Sequence, residues 1–369
     1  MLMCAALMAA LHATAQITGN GYYRVQNKET GRYIELIDNR GKIDYVTTTV
    51  DLGALQTIKG FDQVVNNPAT VFYITDMGNR NYNLSGQGCD LYGMIGHYLE
   101  LKKLSSGAYR CSKTINGVLI YLADEEGDYS PGMVVTTGQK TRDWYVIPVA
   151  ADGDNYFGLE PEVNARQGKF VAIYAAFPFA FASSGMEAYT VTKVDRGMAV
   201  YKPLDGTLVP GATPVIVKCA GSTAAENKLN LLTSDEKAPA GNLLRGVYFN
   251  NGSNMHNNQK AYNRETMRVL GTLSDGTLGL VTADYAFIPA NHTYVEVPAG
   301  TSAEVKLVTQ AEYDAAIASG IGATPADTRV AGSRGIYAIT GAKLRDSAGQ
   351  LGELPAGLYI VDGVKTLKK

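Results

Sequence analysis

One phrase recurs along most of this chain: a short run of alternating apolar and polar residues, a turn sequence, and a second alternating run. "GYYRVQNKETGRYIEL", "TVFYITDMGNRNYNLSGQG", "HYLELKKLSSGAYRCSK" and "DWYVIPVAADGDNYFGLEP" all follow it. Alternation with period two places one side of a strand on a core and the other outward, so each phrase predicts a half-buried antiparallel pair. A chain built from such pairs is all-β, and short strands at this spacing fold into a barrel or trefoil. Residues 17–181 are therefore expected to form a β-trefoil-like domain. Within them only "VDLGALQTIKGFDQVV" (Val50 to Val65) reads as helical, with Leu52, Leu55, Ile58 and Val65 near one face and Asp51 placed to cap the start.

After "FPFAFASSGMEAYTV" the punctuation changes. "VPGATPVIVK", "IPANHTYVEV" and "VPAGTSAEVKL" each set proline and small residues just before an alternating strand. Proline fixes φ for the turn and has no N–H to give a ladder, so it suits strand starts. Residues 184–312 are thus expected to form an antiparallel β-sandwich-like domain. "QAEYDAAIASG" (Gln310 to Gly320) predicts a short helix, and residues 313–333 are expected to hold that helix and a linker. Residues 334–369 end the chain as a small three-stranded unit. Its Asp362-Gly363 pair fits a type I′ turn that sets Val361 opposite Val364, Ile360 opposite Lys365 and Tyr359 opposite Thr366.

The 369 residues carry a net charge of −2, so no basic field is available for a phosphate backbone and no nucleic-acid partner is expected. Apolar residues make up 46% and charged ones 18%, a balance that supports packed cores. Residues 1–15 hold an apolar run from Met1 to Leu11 followed by Ala13-Thr14-Ala15, the pattern of a secretory signal peptide cut after Ala15, although no Lys or Arg precedes the run. No other stretch is apolar over the length of a transmembrane span. The expected address is therefore secreted or at the outer-membrane surface.

Motifs for chemistry are sparse. His97, His256 and His292 stand at no metal-ligand or triad spacing, so no metal, cofactor or catalytic residue is expected, and all three read as turn or loop residues. Cys89 and Cys111 are a possible disulfide pair, while Cys219 closes an apolar run as a buried thiol. Acids cluster in "DEEGD" (Asp124 to Asp128) and "EPE" (Glu160 to Glu162), the kind of pair a glycoside hydrolase uses. For binding, Tyr92, Tyr98, Tyr129 and Trp144 are the candidate ring faces for a sugar, with "IYAAFPFAF" (Ile173 to Phe181) beside them; core packing is the competing role for each.

The last residues, "GIYAITGAKLRDSAGQLGELPAGLYIVDGVKTLKK", resemble the C-terminal motif of many exported proteins of the Bacteroides–Prevotella group, and are similar to the last part of type IX secretion sorting domains. The match covers Gly335 to Lys369 and centres on Leu-Pro-Ala-Gly-Leu-Tyr-Ile-Val; a full sorting domain is longer. "GYYRVQNKETGRYIEL" resembles the opening of ricin-type β-trefoil domains, in which Trp144 would take the place of a core tryptophan. The resemblance implies export, sorting machinery as a partner of the terminal hairpin, and a glycan or host protein as ligand. The function expected on these grounds is non-catalytic binding or adhesion at the cell surface. A secreted glycan hydrolase with unplaced carboxylates and a structural envelope component remain the alternatives.

Overall fold

The computed structural model describes residues 16–39, 42–47, 49–50, 56–57, 61, 64–87, 97–115, 117–124, 134–136, 141–249, 260–319, 335–339, 341–362 and 364–368. The chain divides into two compact units, Met1–Ala318 and Ser319–Lys369.

In the first unit six strands close on themselves: β1 (Gly21–Asn27), β2 (Phe72–Asp76), β3 (Asn81–Ser85), β4 (His97–Lys103), β5 (Tyr109–Ile115) and β6 (Asp143–Pro148). Each pairs antiparallel with the next, and β6 returns to β1 through Val25↔Val146 and its neighbours. The links alternate. Tight turns join β2 to β3 and β4 to β5, whereas long excursions follow β1, β3 and β5. The first excursion carries a hairpin of Ile34–Asn39 with Lys42–Thr47, and the third pairs Val118–Ala123 with Val134–Thr136. A six-stranded barrel closed in chain order, with an excursion after every second strand, is trefoil-like connectivity, and the chain is all-β as its alternation predicts. The inward positions form one core: Tyr23, Val25, Phe72, Ile74, Leu84, Leu101, Tyr109, Cys111, Trp144 and Val146, closed by Ile34, Leu36 and Leu122 from the excursions.

The stretch read as a helix, Val50 to Val65, departs from expectation. Val50 and Gln56 sit opposite each other in a short antiparallel pair, Thr49–Val50 with Gln56–Thr57. Residues 51–55, 58–60 and 62–63 lie outside the described residues. β-Branched threonine and valine at the paired positions favour extended backbone over a helix.

The boundary also falls earlier than residue 181, because the barrel ends with β6. The strands that follow belong to two further sheets. β7 (Phe157–Gly158), β10 (Phe179–Phe181), β13 (Leu208–Val209) and β15 (Lys228–Leu231) form a four-stranded sheet in the order β7-β15-β10-β13. The ten-stranded sheet has the order β8-β9-β14-β11-β12-β20-β18-β17-β19-β16. Its members are β8 (Val163–Ala165), β9 (Gly168–Ile173), β11 (Glu187–Asp195), β12 (Met198–Pro203), β14 (Val215–Cys219), β16 (Leu244–Gly246), β17 (Met267–Thr272), β18 (Leu278–Val281), β19 (Thr293–Glu296) and β20 (Glu304–Val308). Phe157, Phe179 and Leu229 of the small sheet meet Val171, Ile173, Val215 and Val217 in one sandwich core. The alternate residues Phe170, Ile216 and Tyr189 face the opposite side, where the large sheet curls around Leu278, Leu280 and Leu307. The three Pro-small-residue phrases lead into β14, β19 and β20 as expected. The sandwich is not wholly antiparallel, since β12 and β20 run parallel through Met198↔Lys306 and Ala199↔Leu307. A parallel pair needs a long crossover, and here the whole excursion from β13 to β19 supplies it.

The helix α1 (Gln310–Ala318) forms where a short helix is expected, and its start is capped: the Glu312 carboxylate accepts from the Thr309 N–H at 2.7 Å and from its hydroxyl at 2.9 Å. It belongs to the sandwich rather than to a linker. Tyr313 is buried with Met198, Val200 and Val308, and its hydroxyl donates to Asp195 at 2.5 Å.

Barrel and sandwich are locked together. Tyr248 and Phe249, just after β16, are part of the barrel's core cluster. The Tyr248 ring lies 4.3 Å from that of Tyr174, and a Cβ on Gly246 would fall 2.0 Å from Cγ of Tyr174, so that position admits only glycine without a shift.

The second unit is a single antiparallel sheet of four strands, not three: β21 (Ile336–Ala338), β22 (Lys343–Arg345), β23 (Gly357–Val361) and β24 (Val364–Lys368), in the order β22-β21-β23-β24. The extra strand is the polar Lys343–Arg345, which alternation alone does not mark. The terminal register is the expected one: Val361↔Val364, Ile360↔Lys365 and Tyr359↔Thr366, with Asp362 at φ 48°. No described helix is long and apolar enough to cross a membrane.

Candidate functional site

Six polar side chains from three separate stretches of sequence converge where the barrel's first excursion meets the sandwich. Asn66 and Asn67 precede a short 3₁₀ turn, Pro68–Thr70, and Asn67 caps it by accepting the Ala69 N–H at 2.9 Å. The Asn66 amide donates to Glu160 at 3.3 Å. Asn67 turns the other way and donates to Glu35, in the barrel's first excursion, at 3.1 Å. Glu160 and Glu162 flank Pro161 on the segment leading into β8. That segment is held by mutual bonds between Leu159 and Asn227 and by the Glu162 N–H donating to Phe170 O. Opposite stands the turn before β19. Asn291 takes a left-handed φ of 58° and trades side-chain bonds with Gln87 of the barrel at 2.8 and 3.1 Å, fixing the residue that follows, His292. Asn66, Asn67, Glu160, Glu162, Asn291 and His292 line a cleft of about 330 Å³ between the two domains.

The electrostatics of the cleft come from carboxylates and one imidazole. His292 Nδ1 lies 2.9 Å from the Ala290 carbonyl, and Nε2 lies 2.9 Å from Glu162. Both partners are acceptors, so the ring fits them only as an imidazolium donating twice. Burial works against that charge, but the Glu162 hydrogen bond and charge, with the Ala290 carbonyl, outweigh it and raise His292 above its ordinary value. Glu162→Gln removes that carboxylate. The His292 pKa should then fall, read from its ring resonances in an NMR pH titration; an unchanged titration would mean that Glu162 does not hold the proton. Glu35 is the other perturbed group. Burial raises it to about 7, against the pull of the Asn67 amide.

Tyr285, on the loop after β18, is 41% exposed, as is Phe287. Burial raises the Tyr285 hydroxyl first, and the Glu162 charge adds to the rise.

The residues singled out in the sequence fare unevenly. Trp144 is wholly buried, and its indole N–H donates to the Leu122 carbonyl at 3.0 Å. It packs the barrel and has no free face for a sugar, which corrects its candidacy for binding. Tyr92 and Tyr129 lie outside the described residues; Tyr98 is on β4, its side chain undescribed. Ile173, Phe177 and Phe179 of the "IYAAFPFAF" run are sandwich core. Cys111 is a free, buried thiol whose ionisation burial pushes up; Cys89, its suggested partner, lies outside the described residues. Cys219 is also free and buried, pushed up to about 12 by burial. Asp124 is buried against the Arg32 guanidinium, with Nε 2.7 Å away, and serves the barrel; residues 125–128 lie outside the described set. Residues 1–15, His256 and the cut after Ala15 do so too. The "EPE" acids, Ile173 and His292 line the cleft. His292 was read as a turn residue, and Tyr285 went unnoticed; two aromatics in "DYAF" just before a proline turn were the available signal.

No family model matches the chain, and no curated protein matches it. Among solved structures it is similar to one described by the structure and mode of action of a mosquitocidal holotoxin, at 11% identity with a TM-score of 0.25, over 76% of this chain and 35% of that one. The chain thus spans about a third of that structure's length, and a likeness at this level bears on neither ligand nor activity.

Proposed function

We propose that this chain is an exported, non-catalytic binding protein that takes a glycan in the cleft between barrel and sandwich. Glu160, Glu162, Asn66 and His292 meet its hydroxyls, and Tyr285 offers a ring to its apolar face. The observation that carries this reading is the convergence of carboxylate, amide and imidazolium groups on a 330 Å³ cleft. Such a set can both donate to and accept from vicinal hydroxyls, and cleft size and mixed lining suit a ligand of a few sugar units. Against nucleophilic chemistry, Glu162 and His292 neutralise each other, and both described cysteines are buried, where burial suppresses their ionisation.

The test is a glycan array probed with the full chain. Selective binding is expected, weakened about tenfold or more by Glu162→Ala and by Tyr285→Ala. Absence of binding, or binding indifferent to both changes, would overturn the reading. One observation favours a hydrolase: burial raises the Glu35 pKa to about 7, as a general acid requires. If wild type released reducing ends from a bound glycan and Glu35→Gln did not, hydrolysis would replace binding.

A further inference from the structure

A second cavity lies on the other face of the sandwich, inside the curl of the large sheet, and owes nothing to the cleft. Its walls are Phe170 (β9), Ile216 (β14), Tyr189 (β11), Leu307 (β20) and Leu278 (β18), all buried, and its volume is about 90 Å³. An engineered cavity of ~150 Å³ holds benzene and a water occupies ~30 Å³ in the liquid, so this space suits roughly four to five non-hydrogen atoms and no ring. Tyr201, Gln167 and Lys218 complete the lining.

Lys218 is the unusual member. It sits on β14 with its stem against Gly168, where a Cβ would lie 3.6 Å from its Cε. Its ammonium makes no hydrogen bond or ion pair with any described residue. The acid across the ladder, Glu187, does not supply one, because its carboxylate is engaged by the Tyr189 hydroxyl. Gln167 is oriented too: its carbonyl oxygen accepts the Leu278 N–H at 3.0 Å, which leaves its amide N–H groups as donors. A dry apolar chamber of this size, with a lone ammonium and an amide donor in its lining, is complementary to an anion with a short hydrocarbon body.

We propose that this cavity binds a short aliphatic carboxylate, its chain among Phe170, Ile216, Leu278 and Leu307 and its carboxylate at Lys218. A longer or aromatic acid exceeds the volume, and a neutral body of the same shape forgoes the charge-assisted bond. The nearby Glu187 opposes the anion, so the affinity rests on the direct contact with Lys218 rather than on the net field.

The probe is propionate titrated into the isotope-labelled full chain, with propionamide as its neutral isostere. Saturable shifts are expected at residues around the cavity, with propionamide at least about tenfold weaker. Lys218→Met should cost propionate about tenfold and leave propionamide unchanged, and Lys218→Arg should retain most of the acid's affinity. No saturable shift, equal affinity for acid and amide, or indifference of propionate to Lys218→Met would each overturn the proposal. Comparing the two ligands in the wild-type chain decides the matter even if a variant fails to fold. Glycan binding at the cleft is read separately and moves with none of these outcomes.

Discussion

Replacing Arg24 by methionine should cost the first unit about 3–5 kcal/mol, measured as a drop in the urea midpoint without a change in slope. Arg24 lies on β1 between the inward Tyr23 and Val25, so it points out of the barrel, yet it is fully buried. The sandwich's leading segment and the barrel's first excursion cover it. Its guanidinium donates to Asn155 Oδ1 and the Tyr156 carbonyl at 2.9 Å, to Thr70 Oγ1 and the Val65 carbonyl at 3.1 Å, and to the Val64 carbonyl at 3.2 Å. Phe61 and Phe157 stack near it, with ring centres 5.5 and 5.7 Å from Cζ.

Two effects compete in that substitution. Among the described residues no carboxylate neutralises Arg24, and burial lowers its pKa to about 10, so removing the charge relieves a desolvation cost. Methionine also keeps much of the volume. Against this, five oxygens lose a donor at once. The Val64 and Val65 carbonyls keep other partners, the N–H groups of Asn67 and Gly158, so the penalty concentrates on Asn155 Oδ1, the Tyr156 carbonyl and Thr70. Each buried orphan costs about 1–3 kcal/mol, and that sum exceeds the relief. Lysine should be no rescue, since one ammonium cannot reach acceptors on both covering segments. A stability within about 1 kcal/mol of wild type would mean that water replaces the guanidinium and that the clamp is not structural.

Arg24 also marks what the sequence could and could not disclose. Alternation in "GYYRVQN" assigned Arg24 to the outer face correctly, but a period of two says nothing about whether another domain covers that face. The same limit misplaced the domain boundary. The phrases around Phe157 and Phe170 alternate just as barrel strands do, and only their partners, β14 and β15, which lie many residues later, assign them to the sandwich. Features fixed by neighbours along the chain were legible. The Asp362-Gly363 turn set its register, and the three proline phrases introduced their strands. The cleft was half legible, because Glu160 and Glu162 stand out as a pair in "EPE". His292 lies far along the chain and becomes a cleft residue only through the Gln87–Asn291 bonds and the return of β19 to the sheet.

Between pH 5 and pH 8 the first unit should lose about 2–3 kcal/mol of stability through Glu35 alone, a trend opposite to that of most carboxylates. Burial beside Asn67 raises Glu35 to about 7 in the folded chain, from an unfolded value of 4.5. Between those values the folded state holds a proton that the unfolded state has released, so stability falls as pH rises. The contribution is fully present below about 4.5 and is lost as pH climbs through 7. His292 acts in the same direction, since its folded pKa stands above its ordinary 6.5 and its share is lost as pH passes that raised value. Glu35→Gln, neutral throughout and still able to meet the Asn67 side chain, should show a flatter profile and exceed wild type in stability at pH 8. Denaturation midpoints for wild type, Glu35→Gln and the double variant with His292→Gln, taken across this range, measure both contributions. A wild-type chain at least as stable at pH 8 as at pH 5, with Glu35→Gln parallel to it, would show that Glu35 ionises freely in the folded chain.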